Sequence, residues 1–245
     1  MPPILCEILS ALVIFVAGFI RGYSGFGSGM FAVLGLSLLF PPSEMVPPVL
    51  ILEVVASSYL LPGVWRVVDW SSIGWLFLGA AIGTPVGARM LAIVPANSMR
   101  AAIAVIVMAL VLLFRKGVRF HRVFNKPGIV GTGVVSGVLN GGAAIGGPPV
   151  ILFFFSSNLE VAISRASLIA YFFGTDLYAA SMCAVQGLIG WGTLRLTAVL
   201  LPPLMIGLAL GKRSFIRTDP DVFRLRVFQI LMLLSVGALV RAVLA

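Results

Sequence analysis

Apolar stretches of about twenty residues recur along almost the whole chain, and this feature decides most of what the chain can fold into. They cover roughly residues 44–64, 71–93, 97–114, 161–186, 193–212 and 222–243, and two further apolar segments, 16–40 and 131–155, are interrupted by glycine. A helix of ~20 residues rises ~30 Å, the thickness of a bilayer's hydrocarbon core. Inside lipid every backbone N–H and C=O needs an internal partner, and a helix supplies it within one segment. Hydrophobic residues make up 60% of the 245 and charged residues only 10%, which excludes a water-soluble domain of this size. The expected fold is an all-α polytopic membrane protein, a single transmembrane domain over residues 1–245 embedded in the lipid bilayer. No Lys or Arg precedes the first apolar run, so that run is expected to remain in the membrane rather than serve as a cleaved signal.

The net charge of +9 does not point to nucleic acid, because the basic residues concentrate in RKGVRFHRVFNK (115–126) and KRSFIRTDPDVFRLR (212–226). Short basic segments between apolar runs are the mark of cytoplasmic loops. Cys6 and Cys183 form no CxxC pair and imply neither a disulfide framework nor a metal site. No GxxxxGK[ST] loop is present, so ATP is not the expected energy source, and no cofactor is expected.

The two halves of the chain resemble each other. At an offset of 124 residues IGTPVGARM (82–90) falls on IGLALGKRS (206–214), matching Gly83, Gly87 and Arg89 to Gly207, Gly211 and Arg213. The same offset pairs Gly63 with Gly187, Arg100 with Arg224 and Met108 with Met232, and an offset of 123 places Glu53 on Asp176. The interrupted segments correspond at an offset of 115, Gly18 and Gly22 falling on Gly133 and Gly137. A register kept over several segments argues for a duplicated unit, 1–114 and 127–245, joined by the basic loop 115–126.

Each unit then consists of one interrupted segment and three conventional spans. The piece after each interruption, about Phe31–Phe40 or Val150–Ser157, rises only ~12–15 Å as helix, which favours a hairpin that returns to its own side. The basic residues supply a separate test. Single crossings divide the sixteen Lys and Arg other than Arg21 evenly between the two sides, whereas re-entrant hairpins put twelve on one side and four on the other. Re-entrant hairpins leave three crossings per unit, an odd number, so the second unit is expected to be inverted relative to the first, with both termini outside.

Two breaks entering from opposite faces are expected to meet near the midplane, where irregular backbone is tolerated if it lines a polar cavity. Glycine permits the positive φ of such turns, and Pro148 and Pro149 suit the first turn of a returning half-helix. Half-helices starting near Met30 and Pro149 would direct their positive ends at an anion. The competing reading is that Gly18, Gly22, Gly25, Gly29, Gly133 and Gly137, at GxxxG spacing, serve close helix packing. Arg21 and Arg165 are candidate partners of an anionic substrate; their alternatives are a pairing of Arg21 with Glu53 and snorkelling of Arg165 to the interface. Glu53 and Asp176, in equivalent spans, are candidates for coupling a proton or cation, with structural ion pairing as the alternative. Ser24, Ser28, Asn140 and Tyr171 would add neutral hydrogen bonds.

GYSG also fits an intramembrane serine hydrolase pattern, but the sole histidine, His121, lies in the basic loop and leaves Ser24 without a general base at depth. A passive anion channel is the other alternative. The two glycine motifs resemble those of the TauE/SafE family of sulfite and organosulfonate exporters: GFIRGYSGFGSG with FPPSEMVPP is similar to its first motif, SGVLNGGAAIGGPPVILFF with SRASLIAYFF to its second. The likeness covers nearly the whole chain. It implies a bacterial or archaeal inner-membrane secondary transporter of small anions such as sulfite or sulfoacetate. Alternating access by rocking of one repeat against the other is the expected mechanism, in a monomer or homodimer. It also implies that Gly22, Gly25, Gly27, Gly29, Gly141, Gly142, Gly146, Gly147, Pro148 and Pro149 line the translocation path. Where many members carry three consecutive glycines, this chain has Gly27, Ser28 and Gly29.

Overall fold

A computed structural model describes residues 3–115, 125–157, 159–214 and 220–244. Most of the basic loop 115–126 and part of 212–226 therefore lie outside the described residues. Ten α-helices form among those described, with no strand: α1 (Pro3–Ser24), α2 (Ser28–Ser37), α3 (Pro42–Leu60), α4 (Trp70–Ile93), α5 (Ala96–Arg115), α6 (Lys126–Ala143), α7 (Gly147–Ser156), α8 (Val161–Val185), α9 (Trp191–Ser214) and α10 (Pro220–Leu244). Six stretches are long and apolar enough to cross a membrane: Leu5–Ser24, Pro42–Gly63, Trp70–Ile93, Ala96–Leu113, Val161–Val185 and Trp191–Ser214. Five of them fall on the expected spans, and the sixth, Leu5–Ser24, is the arm before the first break. The described apolar part of α10 is Gln229–Val243.

That arm and the half-helix after it form a hairpin. A Cβ on Gly35, in α2, would meet Val13 Cγ1, in α1, at 2.7 Å, although each residue is several turns from the break. Only a chain that doubles back brings them together. In the second interrupted segment the Ser136 hydroxyl, two turns before the end of α6, donates to the carbonyl of Gly146 at 2.6 Å, so the chain has already turned back where α7 begins.

Two compact units are present, and they cut across the sequence repeats. The first takes Met1–Val49, Val94–Val118 and Trp191–Ala245; the second takes Leu50–Ile93 and Arg119–Gly190. Each unit thus packs the broken hairpin of one expected repeat against the third segment of the other: α1 against α9 in the first unit, α4 against α6 in the second.

The glycines matched at an offset of 124 form these seams. A Cβ on Gly207 or Gly211 would lie 2.1 Å from the carbonyl oxygen of Phe15 or Phe19, and one on Gly18 or Gly22 would lie 2.4 or 2.2 Å from that of Leu204 or Leu208. In the second unit Gly83 and Gly87 stand against the carbonyls of Val134 and Val138 at 2.2 Å, and Gly137 and Gly141 against those of Ala80 and Thr84 at 2.6 and 2.3 Å. At such distances no side chain fits, and backbone meets backbone. The close-packing reading therefore accounts for Gly18, Gly22, Gly133 and Gly137, but not for Gly25, whose φ is 83°.

A proline inside a spanning helix deprives the carbonyl four residues earlier of its donor. Pro85 does this to Ala81 in α4, and the Tyr178 hydroxyl of α8 takes the place of the missing N–H, donating to the Ala81 carbonyl at 3.3 Å. Asp69 precedes α4 and accepts from the Ser72 N–H at 3.3 Å, while its own N–H donates to Ser167 Oγ at 2.9 Å.

Candidate functional site

In the first unit the break is a turn built by Ser24, Gly25 and Gly27. The Ser24 hydroxyl stands 2.7 Å from the Ile20 carbonyl and 2.5 Å from that of Phe26, and accepts from the Phe26 N–H at 3.3 Å. This hydroxyl ties the last turn of α1 to the turn that follows it. The Gly25 N–H donates to the Arg21 carbonyl at 2.8 Å, and Gly25 and Gly27 hold φ of 83° and 88°, a region glycine enters without steric cost. The half-helix α2 then starts at Ser28, two residues before the expected Met30, with Gly27 as an N-cap that has no side chain to offer. Ser28, Gly29 and every other residue of α2 are buried. Arg21, in the last turn of α1, is 2% exposed.

The far end of α2 is held by residues outside the glycine motif. Arg100 of α5 donates from Nε to the Ser37 carbonyl at 2.7 Å, from Nη2 to that of Phe40 at 3.4 Å and from Nη1 to Asn97 Oδ1 at 2.6 Å, and Arg241 of α10 donates to the Leu39 carbonyl at 3.5 Å. Cations at a helix C-terminus oppose its negative pole. The sequence carried one signal of Arg100, its match to Arg224, but none of its partner.

In the second unit the break is tied down by side chains. Asn140, in the last turn of α6, accepts from the Gly146 N–H through Oδ1 at 3.3 Å and donates through Nδ2 to Asp176 Oδ1 of α8 at 2.8 Å. The Tyr171 hydroxyl donates to Ser136 Oγ at 2.9 Å, and Ser136 donates on to the Gly146 carbonyl. Asn140, Asp176, Ser136 and Tyr171 are each at most 3% exposed. A chain of satisfied buried bonds rigidifies whatever it joins, here the turn and α8. Ser136 was missed in the sequence because one serine in a small-residue segment reads as packing.

Glycine is used differently here. The residue with positive φ is Ala144, at 52°, while Gly146 has φ of −66° and is small because the Asn140 side chain lies where its Cβ would be, at 2.8 Å. The expectation that glycine supplies positive φ thus holds for the first break and is corrected for the second. Gly141 and Gly142 lie in the α4–α6 seam, a Cβ on Gly87 reaching the Gly142 nitrogen at 2.7 Å. The second half-helix begins at Gly147 rather than Pro149, with Pro148 and Pro149 in its first turn. Arg165 is half-buried in the first turns of α8, and Glu53 is 6% exposed on α3.

Helices of spanning length, broken twice at buried polar turns, define a multi-pass membrane protein. More particularly, the chain belongs to the sulfite exporter TauE/SafE family, whose model matches residues 10–239 and so takes in both breaks. Among curated proteins it is similar to a "Probable sulfite/organosulfonate exporter TauE" of Cupriavidus necator, 24% identical over 231 residues that make up 91% of this chain and 89% of that protein. No solved structure matches.

Proposed function

We propose that this chain is a secondary transporter that exports small sulfur-containing anions, such as sulfite or a sulfoacetate-like organosulfonate, across the inner membrane by alternating access. The observation that carries this reading is the family match over residues 10–239, supported by the name of the Cupriavidus relative. Physical chemistry adds to it. A buried half-helix starting at an uncapped turn offers N–H groups to an oxyanion, and Arg21 beside that turn offers a guanidinium suited to tetrahedral oxygens. Asp176, buried and accepting from Asn140, is our choice for the coupled proton, with Glu53 as its counterpart in the other repeat. Ser24 is assigned to the turn rather than to chemistry, since its hydroxyl is engaged with the Ile20 and Phe26 carbonyls.

The test is flux of labelled sulfite, sulfoacetate and a carboxylate control in proteoliposomes, with and without a pH gradient. We expect saturable flux of the sulfur anions that responds to the gradient and is lost in Asp176→Asn. Absence of flux for every anion refutes transport, and unsaturable flux indifferent to the gradient identifies a channel. The inverted orientation of the repeats belongs to the same proposal: a C-terminal tag should be reached from outside the cell, and a cytoplasmic tag would contradict it.

A further inference from the structure

The two breaks are alike in sequence yet differ in what their polar groups have left to give. In the first, the Ser28 hydroxyl stands in the opening turn of α2, is fully buried, and has no hydrogen-bond partner among the described residues. A buried hydroxyl left unpaired is costly to the fold and is rarely retained without use. Around it Gly27 provides no capping side chain, and the N–H groups of Ser28, Gly29 and Met30, at the positive end of the half-helix, have no intrahelical acceptor. The opposite, negative end is covered by Arg100 and Arg241, whose bonds to the carbonyls of Ser37, Phe40 and Leu39 compensate that pole. A helix with its negative pole compensated and its positive pole open, carrying an unused hydroxyl there, lacks an acceptor.

In the turn of the second break the polar groups are engaged with one another, although Thr84 Oγ1 of α4, whose carbonyl stands against Gly141 in the seam, is also buried and without a partner among the described residues. Pro148 and Pro149 remove two of the N–H groups from the first turn of α7. The Gly146 N–H is given to Asn140, the Gly146 carbonyl receives Ser136, Ser136 receives Tyr171, and the Asn140 amide is spent on Asp176. A carboxylate joined to this turn through one amide repels an anion.

We infer that the breaks divide the work: the N-terminus of α2, with the Ser28 hydroxyl and the first-turn N–H groups as donors, holds the oxyanion head of the substrate, while the Asn140–Asp176 turn takes no part in anion binding. Arg100 is a positioning residue for the first, acting through the C-terminal carbonyls of α2. This inference rests on the anion-transporter reading.

The experiment is equilibrium binding of labelled sulfite and of sulfoacetate to the purified full-length chain in nanodiscs, with thermal stability measured on the same samples. Ser28→Ala should weaken binding about ten- to hundredfold, the effect of one hydrogen bond to a charged group, without lowering the melting temperature, because the hydroxyl has no partner among the described residues. Ser28→Cys, which keeps the side chain's shape at slightly larger size and replaces the donor by a weaker one, should fall between the two and guards against a folding defect in the alanine variant. Asn140→Ser should leave the dissociation constant within about twofold of wild type while lowering stability. Arg100→Gln should weaken binding, and Arg100→Lys should restore part of it. Wild-type affinity in Ser28→Ala and Ser28→Cys, or a loss in Asn140→Ser equal to that in Ser28→Ala, overturns the division. A wild type that binds neither anion overturns the transporter reading itself, which is a separate result.

Discussion

Gly83→Ala adds one methyl group to a surface that has no room for it, and its cost can be worked from distances. The new Cβ would stand 2.2 Å from the Val134 carbonyl oxygen, 2.9 Å from the Val138 nitrogen and 3.0 Å from the Val134 carbonyl carbon, all backbone atoms that no rotamer change can move. Reaching ordinary contact requires α4 and α6 to separate locally by about 1 Å, which also strips optimal contact from the neighbouring turns. Overpacking of this kind costs ~1–3 kcal/mol, and the rigidity of two apposed backbones puts the expected value near the top of that range, ~3 kcal/mol. For a chain of this size that is a fall of about 6–12 °C in melting temperature. Gly74, in the same helix, is the internal control: nothing lies within 4 Å of its Cβ position, so Gly74→Ala should leave stability unchanged or raise it by ~0.5–1 kcal/mol through helix propensity. The assay is thermal unfolding of the detergent-solubilised protein followed by tryptophan fluorescence. Gly83→Ala melting at or above the wild type, with Gly74→Ala behaving the same way, would refute the argument that these glycines are fixed by backbone contact.

Two further outcomes follow from the breaks. Gly27→Ala has space, with only Ile20 Cγ2 at 3.8 Å, but inherits a φ of 88°, so it should cost ~1–2 kcal/mol from backbone strain alone, and Gly27→Asn should cost less; equal melting temperatures for all three proteins would contradict this. In the second break Ser136→Ala strands both the Tyr171 hydroxyl and the Gly146 carbonyl and should cost ~2–4 kcal/mol, whereas Tyr171→Phe removes one donor and should cost ~1 kcal/mol; the reverse order in thermal unfolding would show that the relay is not as described.

How much of the site could be read beforehand depended on whether a residue's role was local. Ser24 and Gly27 act on the few residues around them, and the pattern GYSGFGSG already marked a turn. Asn140 and Asp176 were both picked out, but on separate grounds, and nothing in the order of residues joined them at 2.8 Å. Ser136 and Arg100 went unnoticed as site residues, because a serine or arginine declares its partner only when another segment brings a carbonyl to it. The glycine question was posed correctly but could not be answered: GxxxG spacing is shared by seams and turns, and only the positions of facing backbones separate Gly22, in a seam, from Gly25, in a turn.

The sequence by itself determined the membrane-spanning, all-helical character of the chain and the two breaks, because hydropathy over about twenty residues and glycine clusters are properties of contiguous segments. Only the tertiary structure decided that α1 packs on α9 and α4 on α6, that the matched glycines are the surface of that packing, and that one break keeps an unspent hydroxyl while the turn of the other has its polar groups engaged. The physical reason is that close packing and hydrogen-bond satisfaction are relations between segments far apart in the chain. A residue's identity says what it can donate or exclude, and the fold says whether anything is there to receive it.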